Sequence, residues 1–161
     1  MFSRLFSTRD DWALTVIRLA LGVVFLAHGA QKLLGWFGGP GYSGTMQMFS
    51  QMGIPGFLAV FAIAAEFFGG LGLIMGFLGR IAALGIAVNM MVAIAMVHLQ
   101  FGLFMNWTGK QPGEGFEFHL LAIAMGLGVL ISGSGPLSID RALNRWLSFR
   151  ELQAHRERPA A

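Results

Sequence analysis

Apolar residues run along this chain in long unbroken stretches, and polar or glycine-rich breaks separate them. A stretch of about 20 such residues crosses a bilayer as a helix. Four stretches fit: Trp12 to Trp36, Ile54 to Leu78 with Glu66 as its one charge, Ile81 to about Phe104, and a shorter one from Phe116 to about Gly135. The breaks fall at Gly38-Gly39-Pro40-Gly41, Pro55-Gly56, Gly79-Arg80, Pro112-Gly113 and Gly135-Pro136, where turns are favoured. Beyond Pro136 the pattern changes to an amphipathic one. Ile139, Ala142, Leu143, Trp146 and Leu147 share one helical face, and Asp140, Arg141, Asn144, Arg145 and Ser148 fill the other. The pattern predicts an all-α membrane protein, with residues 1–135 forming a four-helix transmembrane bundle and residues 136–161 forming a C-terminal cytoplasmic amphipathic helix, interfacial on the leaflet with its arginines toward anionic head groups, and a basic tail.

Composition supports this picture. Hydrophobic residues make up 55% and charged residues 12%, against about 25% charged in soluble domains. The 11 Lys and Arg are scattered rather than gathered into tracts, so the basic balance does not indicate nucleic acid. With no cysteine, disulfides, zinc thiolates, iron–sulfur clusters and thiol relays are excluded. The 23 glycines suit helices in close contact within lipid. Gly72 and Gly76 form a GxxxG step, and no GxxxxGK[ST] phosphate loop is present.

Basic residues also set the expected orientation. With four crossings, Arg4, Arg9, Arg80, Arg141, Arg145, Arg150, Arg156 and Arg158 fall on one side, and Lys32 and Lys110 on the other, which places both termini in the cytoplasm of a bacterial-type inner membrane. Trp12, Trp36, Trp107 and Trp146 sit at expected helix ends, as an interfacial aromatic belt requires. The first stretch reads as a retained helix and not as a cleaved signal, because Arg18 interrupts it and His28 lies among its small residues.

Charges inside a membrane need a partner, water or a function. Glu66 has roughly 18 Å of helix on either side, and Arg18 lies about 9 Å from the middle of its own span. An Arg18–Glu66 ion pair is the leading structural expectation. Toward the outer side, His28, Gln31 and Lys32 end the first stretch, His98 and Gln100 lie late in the third, and Glu117 and His119 open the fourth. His28 and Lys32 share a face at i, i+4. Glu117 and His119 are about 200° apart on a helix, and Asn89 and His98 about 180°. His28, Lys32, His98, Glu117 and His119 therefore form the candidate functional cluster. Three readings stay open for it: an interhelical hydrogen-bond network, a small-molecule or quinone site with His and Glu placed for proton exchange, and a metal site. No HxxxH or HExxH pair supports the last.

Arg18-Leu-Ala-Leu-Gly22, Phe25, His28-Gly29, Lys32-Leu33 and Ala65-Glu66 before a glycine-rich helix resemble the DoxX family of small membrane proteins. His98, Glu117 and Gly133-Ser-Gly-Pro-Leu-Ser-Ile-Asp140 extend the likeness, which covers Arg18 to Asp140. The resemblance implies a four-helix membrane bundle associated with redox complexes, thiosulfate oxidation with quinone as acceptor, or oxidative-stress defence. It assigns no catalytic residue. In a chain without cysteine, electrons would pass through a quinone or a redox-enzyme partner subunit.

Three functions are consistent with these residues. The first is a membrane component of a redox or oxidative-stress complex, linked to quinone. The second is a non-enzymatic scaffold or assembly factor, and the third a small-solute or proton transporter built around Glu66. The lipid bilayer is the expected partner, and a homo-oligomer is compatible with the chain.

Overall fold

Asp11 begins the first long helix, its carboxylate accepting a 2.8 Å hydrogen bond from the Ala13 N–H while its own backbone stays extended. The computed structural model describes residues 3–156. Its helices are α1 (Ser3–Phe6), α2 (Trp12–Leu34), α3 (Gly41–Gln51), α4 (Gly56–Met75), α5 (Gly79–Ala93), α6 (Glu117–Ser132) and α7 (Ile139–Arg156). Helix α5 continues through a widened turn at Ile94–His98 and a tight one at Leu99–Phe101, so Gly79–Phe101 forms one apolar rod of 23 residues. Three helices are thus long and apolar enough to cross a membrane: α2, α4 and extended α5. Helix α6 is equally apolar but has 16 residues, or about 24 Å at 1.5 Å per residue.

The long helices run antiparallel and define two ends. Backbone and side-chain bonds gather α1, the α4–α5 turn, the end of α6 and the start of α7 at one end. There Arg9 N–H donates to Ser132 O, Asp140 N–H to Gly76 O, and Arg80 reaches Leu130 O, Ile131 O and Ser7 O. At the other end lie α3 and the 102–116 loop. Helix α2 packs mainly on α4, α4 on α5, and α5 on α6. Leu21, Phe25, Leu73, Ala83, Ile86, Met90, Ala122 and Val129 form the shared core. The opposite faces carry exposed apolar side chains, such as Phe57, Phe61, Phe68 and Met75 on α4. Large apolar side chains on the outward faces are what lipid, rather than water, selects.

The α2–α4 contact is set by glycine. A Cβ on Gly22 would lie 2.9 Å from Ile74 N, one on Gly70 2.8 Å from Leu26 Cα, and one on Gly29 2.8 Å from the Glu66 carbonyl carbon. These backbones touch, and the three contacts fix the register along the pair. The Gly72–Gly76 step does not take this role. Gly76 ends α4 in the left-handed conformation, with φ of 64°, as a helix C-terminus favours.

Other expectations shift as well. The break between the first two stretches contains α3, held by Thr45, whose buried hydroxyl donates to Lys32 O at 3.1 Å. Trp146 falls within α7 and not at a helix end, because α7 extends to Arg156. Arg158 and the rest of the tail from residue 157 onward lie outside the described residues.

Candidate functional site

Glu66 is a buried carboxylate in the face of α4 that meets α2, and its partner is Lys32. Lys32 Nζ bonds Glu66 Oε2, and Asn89 Nδ2 donates to Glu66 Oε1 at 3.2 Å. The expected Arg18–Glu66 pair does not form. The glycine register explains why: it sets Glu66 level with Ala30, about 18 Å of helix from Arg18 at 1.5 Å per residue. Lys32 is close enough to fold back, and a carboxylate neutralised by an ammonium and hydrogen-bonded by an amide can be kept in a dry interior.

Arg18 instead lies at the α7 end, 1% exposed. Its Nε donates to Ser134 O at 2.8 Å, its Nη1 to Leu73 O and to Ile74 O at 2.8 Å, and its Nη2 to Leu137 O at 2.6 Å. Leu73 and Ile74 belong to the last turn of α4, whose carbonyls form the negative end of the helix dipole and attract a cation; Leu73 O also accepts from the capping Gly76 N–H at 3.2 Å. On the far side of the turn, the buried carboxylate of Asp140 accepts from Leu78 N–H at 2.8 Å, Gly79 N–H at 3.0 Å and Ser134 Oγ at 2.7 Å. These are the first amides of α5. Leu78 has φ of 51°, a left-handed conformation costly for a branched residue, and the carboxylate bonds it directly. Sequence periodicity placed Asp140 on the polar face of α7. The Ser-Gly-Pro-Leu-Ser-Ile-Asp run before it was the available signal that it turns inward.

The histidines gather at the α3 end. His98, the last residue of the widened turn, has Nδ1 2.8 Å from Glu114 O. A carbonyl only accepts, so Nδ1 carries a hydrogen, and in the neutral ring Nε2 then holds the lone pair. The His98 ring centroid is 4.1 Å from that of His119, tilted by 43°. His119 is buried, and its Nδ1 has no hydrogen-bond partner. Phe118 connects this pair to His28, its ring 5.6 Å from His119 and 6.1 Å from His28. His28 is exposed, within electrostatic reach of Lys32 and Glu66.

Glu117 stands apart from this group. Its Oε1 accepts from Met105 N–H and Trp107 Nε1–H, both at 3.0 Å, so it ties down the 102–116 loop. The turn between Glu117 and His119 accounts for the separation: one faces the loop, the other α5. Among the described residues, no group of three or more histidine or acidic side chains is arranged to hold a metal ion. The site offers two neighbouring imidazoles with open nitrogens beside an aromatic ring, and a separate neutralised carboxylate.

The DoxX family model matches residues 13–99. The chain is 32% identical over 136 residues to "Inner membrane protein YqjF" of Escherichia coli strain K12, covering 84% of this chain and 95% of that one. It is 29% identical over 126 residues to "Putative oxidoreductase CatD" of Bacillus subtilis strain 168, covering 78% and 82% of the two chains. A third relative is "Uncharacterized membrane protein Rv3486" of Mycobacterium tuberculosis, 32% identical over 148 residues and 88% of each chain. No solved structure matches the chain.

Proposed function

The chain belongs to the DoxX family, and on that footing we propose that it is a four-span inner-membrane component of a redox or oxidative-stress system whose paired imidazoles receive the head group of a quinone. The observation that carries this reading is His119 Nδ1, a buried nitrogen without a partner, beside a His98 whose Nε2 is free. An unsatisfied buried polar atom costs about 1–3 kcal/mol, and such atoms in native proteins call for an explanation. A quinone supplies paired electron and proton acceptance when bound. This chain's part is to position the ring and handle protons: His98 Nε2 can accept from a hydroxyl, and His119 can donate to a carbonyl when its Nδ1 is protonated. Phe118 supplies an apolar wall. The relative named "Putative oxidoreductase CatD" supports the redox class.

The same reading takes α6 as the fourth span and both ends of the chain as cytoplasmic. Its support is charge: Arg9, Arg80, Arg141 and Arg145 lie at or beside the α7 end, and Lys110 in the opposite loop. Reporter fusions after Gly44 and Gly113 should be periplasmic and those after Gly79 cytoplasmic. A cytoplasmic signal at Gly44 would overturn this topology.

Binding of a short-chain benzoquinone to the purified protein tests the site. His119→Phe and His98→Phe should weaken it at least tenfold with melting nearly unchanged, and Glu117→Gln should loosen the loop without that loss. Equal binding by all variants sinks the quinone reading. The scaffold alternative is favoured by one observation, that Glu66, Lys32 and Asn89 satisfy one another. A transporter built on Glu66 gains least, since its carboxylate is already paired.

A further inference from the structure

Helix α7 has two unlike sides. Leu143, Asn144 and Leu147 are half-buried, and Asp140 is locked into the α4–α5 turn. Ile139, Ala142, Trp146 and Phe149 are exposed. At 100° per residue these four fall within about 80° of one another. Large apolar side chains in such a stripe are not expected to face water.

The start of this stripe is set against the bundle. Ile139 and Ala142, with Leu137 and Ser138, form one wall of a groove of about 330 Å³, and Leu19 of α2 and Ile74 and Met75 of α4 form the other. Met75 belongs to the exposed apolar surface of α4, which meets lipid. The α7 stripe is therefore continuous with the lipid-facing flank of the bundle. Arg145 borders the stripe, and the Arg150 guanidinium lies 4.4 Å over the Trp146 ring, leaving a cation at the level of an interfacial aromatic.

We propose that α7 is seated on the bilayer, with Ile139, Trp146 and Phe149 among the upper acyl chains and Arg145 and Arg150 against anionic phospholipid head groups. The two features required of an interfacial helix, an apolar face turned to hydrocarbon and cations at its border, are both present. The charge selects anionic lipid over zwitterionic lipid. The proposal does not depend on the quinone reading, because its residues lie at the opposite end of the bundle.

The chain contains no cysteine, so a single spin label can be placed at will. Full-length Phe149→Cys and Ser148→Cys, each carrying a nitroxide, are reconstituted at one copy per nanodisc in phosphatidylcholine alone and mixed with phosphatidylglycerol. At position 149 in the mixed lipid, collisions with oxygen should exceed those with a water-soluble nickel complex. At position 148 the order should reverse. Adding Arg145→Gln or Arg150→Gln should weaken the seated state by about fivefold each, the scale of one basic residue at an anionic surface. Nickel accessibility at 149 equal to that at 148 would overturn the proposal. So would burial of 149 that appears only with two copies per disc, since it would assign the stripe to a second chain.

Discussion

Arg18 and Asp140 hold the two ends of one turn, each bonding to backbone groups there. The guanidinium takes the last carbonyls of α4 and the carboxylate takes the first amides of α5. A cation thus meets the negative end of one helix dipole and an anion the positive end of the next. The turn between them is Gly76-Phe77-Leu78, and the start of α7 is fastened to it through Asp140.

Removing either grip should be costly. Asp140→Ala should lower stability in detergent by about 2 kcal/mol, the upper range for a lost helix cap. Arg18→Lys should also destabilise, because an ammonium lacks the planar fork that reaches several carbonyls at once. Thermal melts check both. A wild-type melt for Arg18→Lys would mean that charge alone suffices.

The Glu66 partnership makes a prediction of its own. Lys32→Met should cost about 3–5 kcal/mol by leaving a buried carboxylate unpaired, and Lys32→Met with Glu66→Met should cost less than the sum. Arg18→Ala and Glu66→Gln should instead simply add, being about 18 Å of helix apart. Coupling between that distant pair, measured in a double-mutant cycle, would refute the register.

Glycine positions supply a matched comparison. Gly29→Ala places a methyl against the Glu66–Phe67 backbone and should cost about 1–3 kcal/mol, as overpacking does. Gly128→Ala, with nothing within 4 Å of its Cβ, should be neutral or stabilise by about 0.5–1 kcal/mol through helix propensity. Equal effects at the two sites would contradict the α2–α4 contact.

At the surface, Arg141 holds Asp10 in a two-pronged bond of 2.5 and 2.8 Å. That hydrogen bond keeps the Asp10 carboxyl below the usual aspartate value, even against its slight desolvation. A lowered folded value stabilises fully above the ordinary aspartate range and is lost as pH falls through the folded value. The melting difference between wild type and Asp10→Asn should therefore be present at neutral pH and vanish in strong acid. A difference that persists in acid would show that the carboxylate charge is not its source.

The long helices were legible because lipid requires nothing of a span beyond length and apolarity. The partners of Arg18 and Glu66 were not, because helical periodicity places a residue on a face without saying what stands opposite. That information resides in Gly22, Gly29 and Gly70, three close contacts on two different helices, and a one-dimensional reading scores them only as small residues. Helix α3 escaped notice because a short segment with Thr45, Gln47 and Ser50 looks like a loop until Thr45 finds Lys32 O. His98, His119 and His28 lie in one region around Phe118, whereas Glu117 was grouped with them although its oxygen serves the neighbouring loop.

The widened turn at Ile94–His98 acts as a phase shifter. A turn closed at i+5 holds one residue more than an α turn, so everything beyond it is rotated by about 100° relative to an unbroken helix. On a regular helix Asn89 and His98 would point in opposite directions, about 180° apart. Here Asn89 faces Glu66 and His98 faces His119, two addresses read from a single rod. The inserted residue is thus a unit of information as much as of length: winding the same residues as unbroken α-helix would turn the imidazole about 100° away from its neighbour, whereas deleting one residue within Ile94–His98 would restore ideal helix and keep His98 in phase.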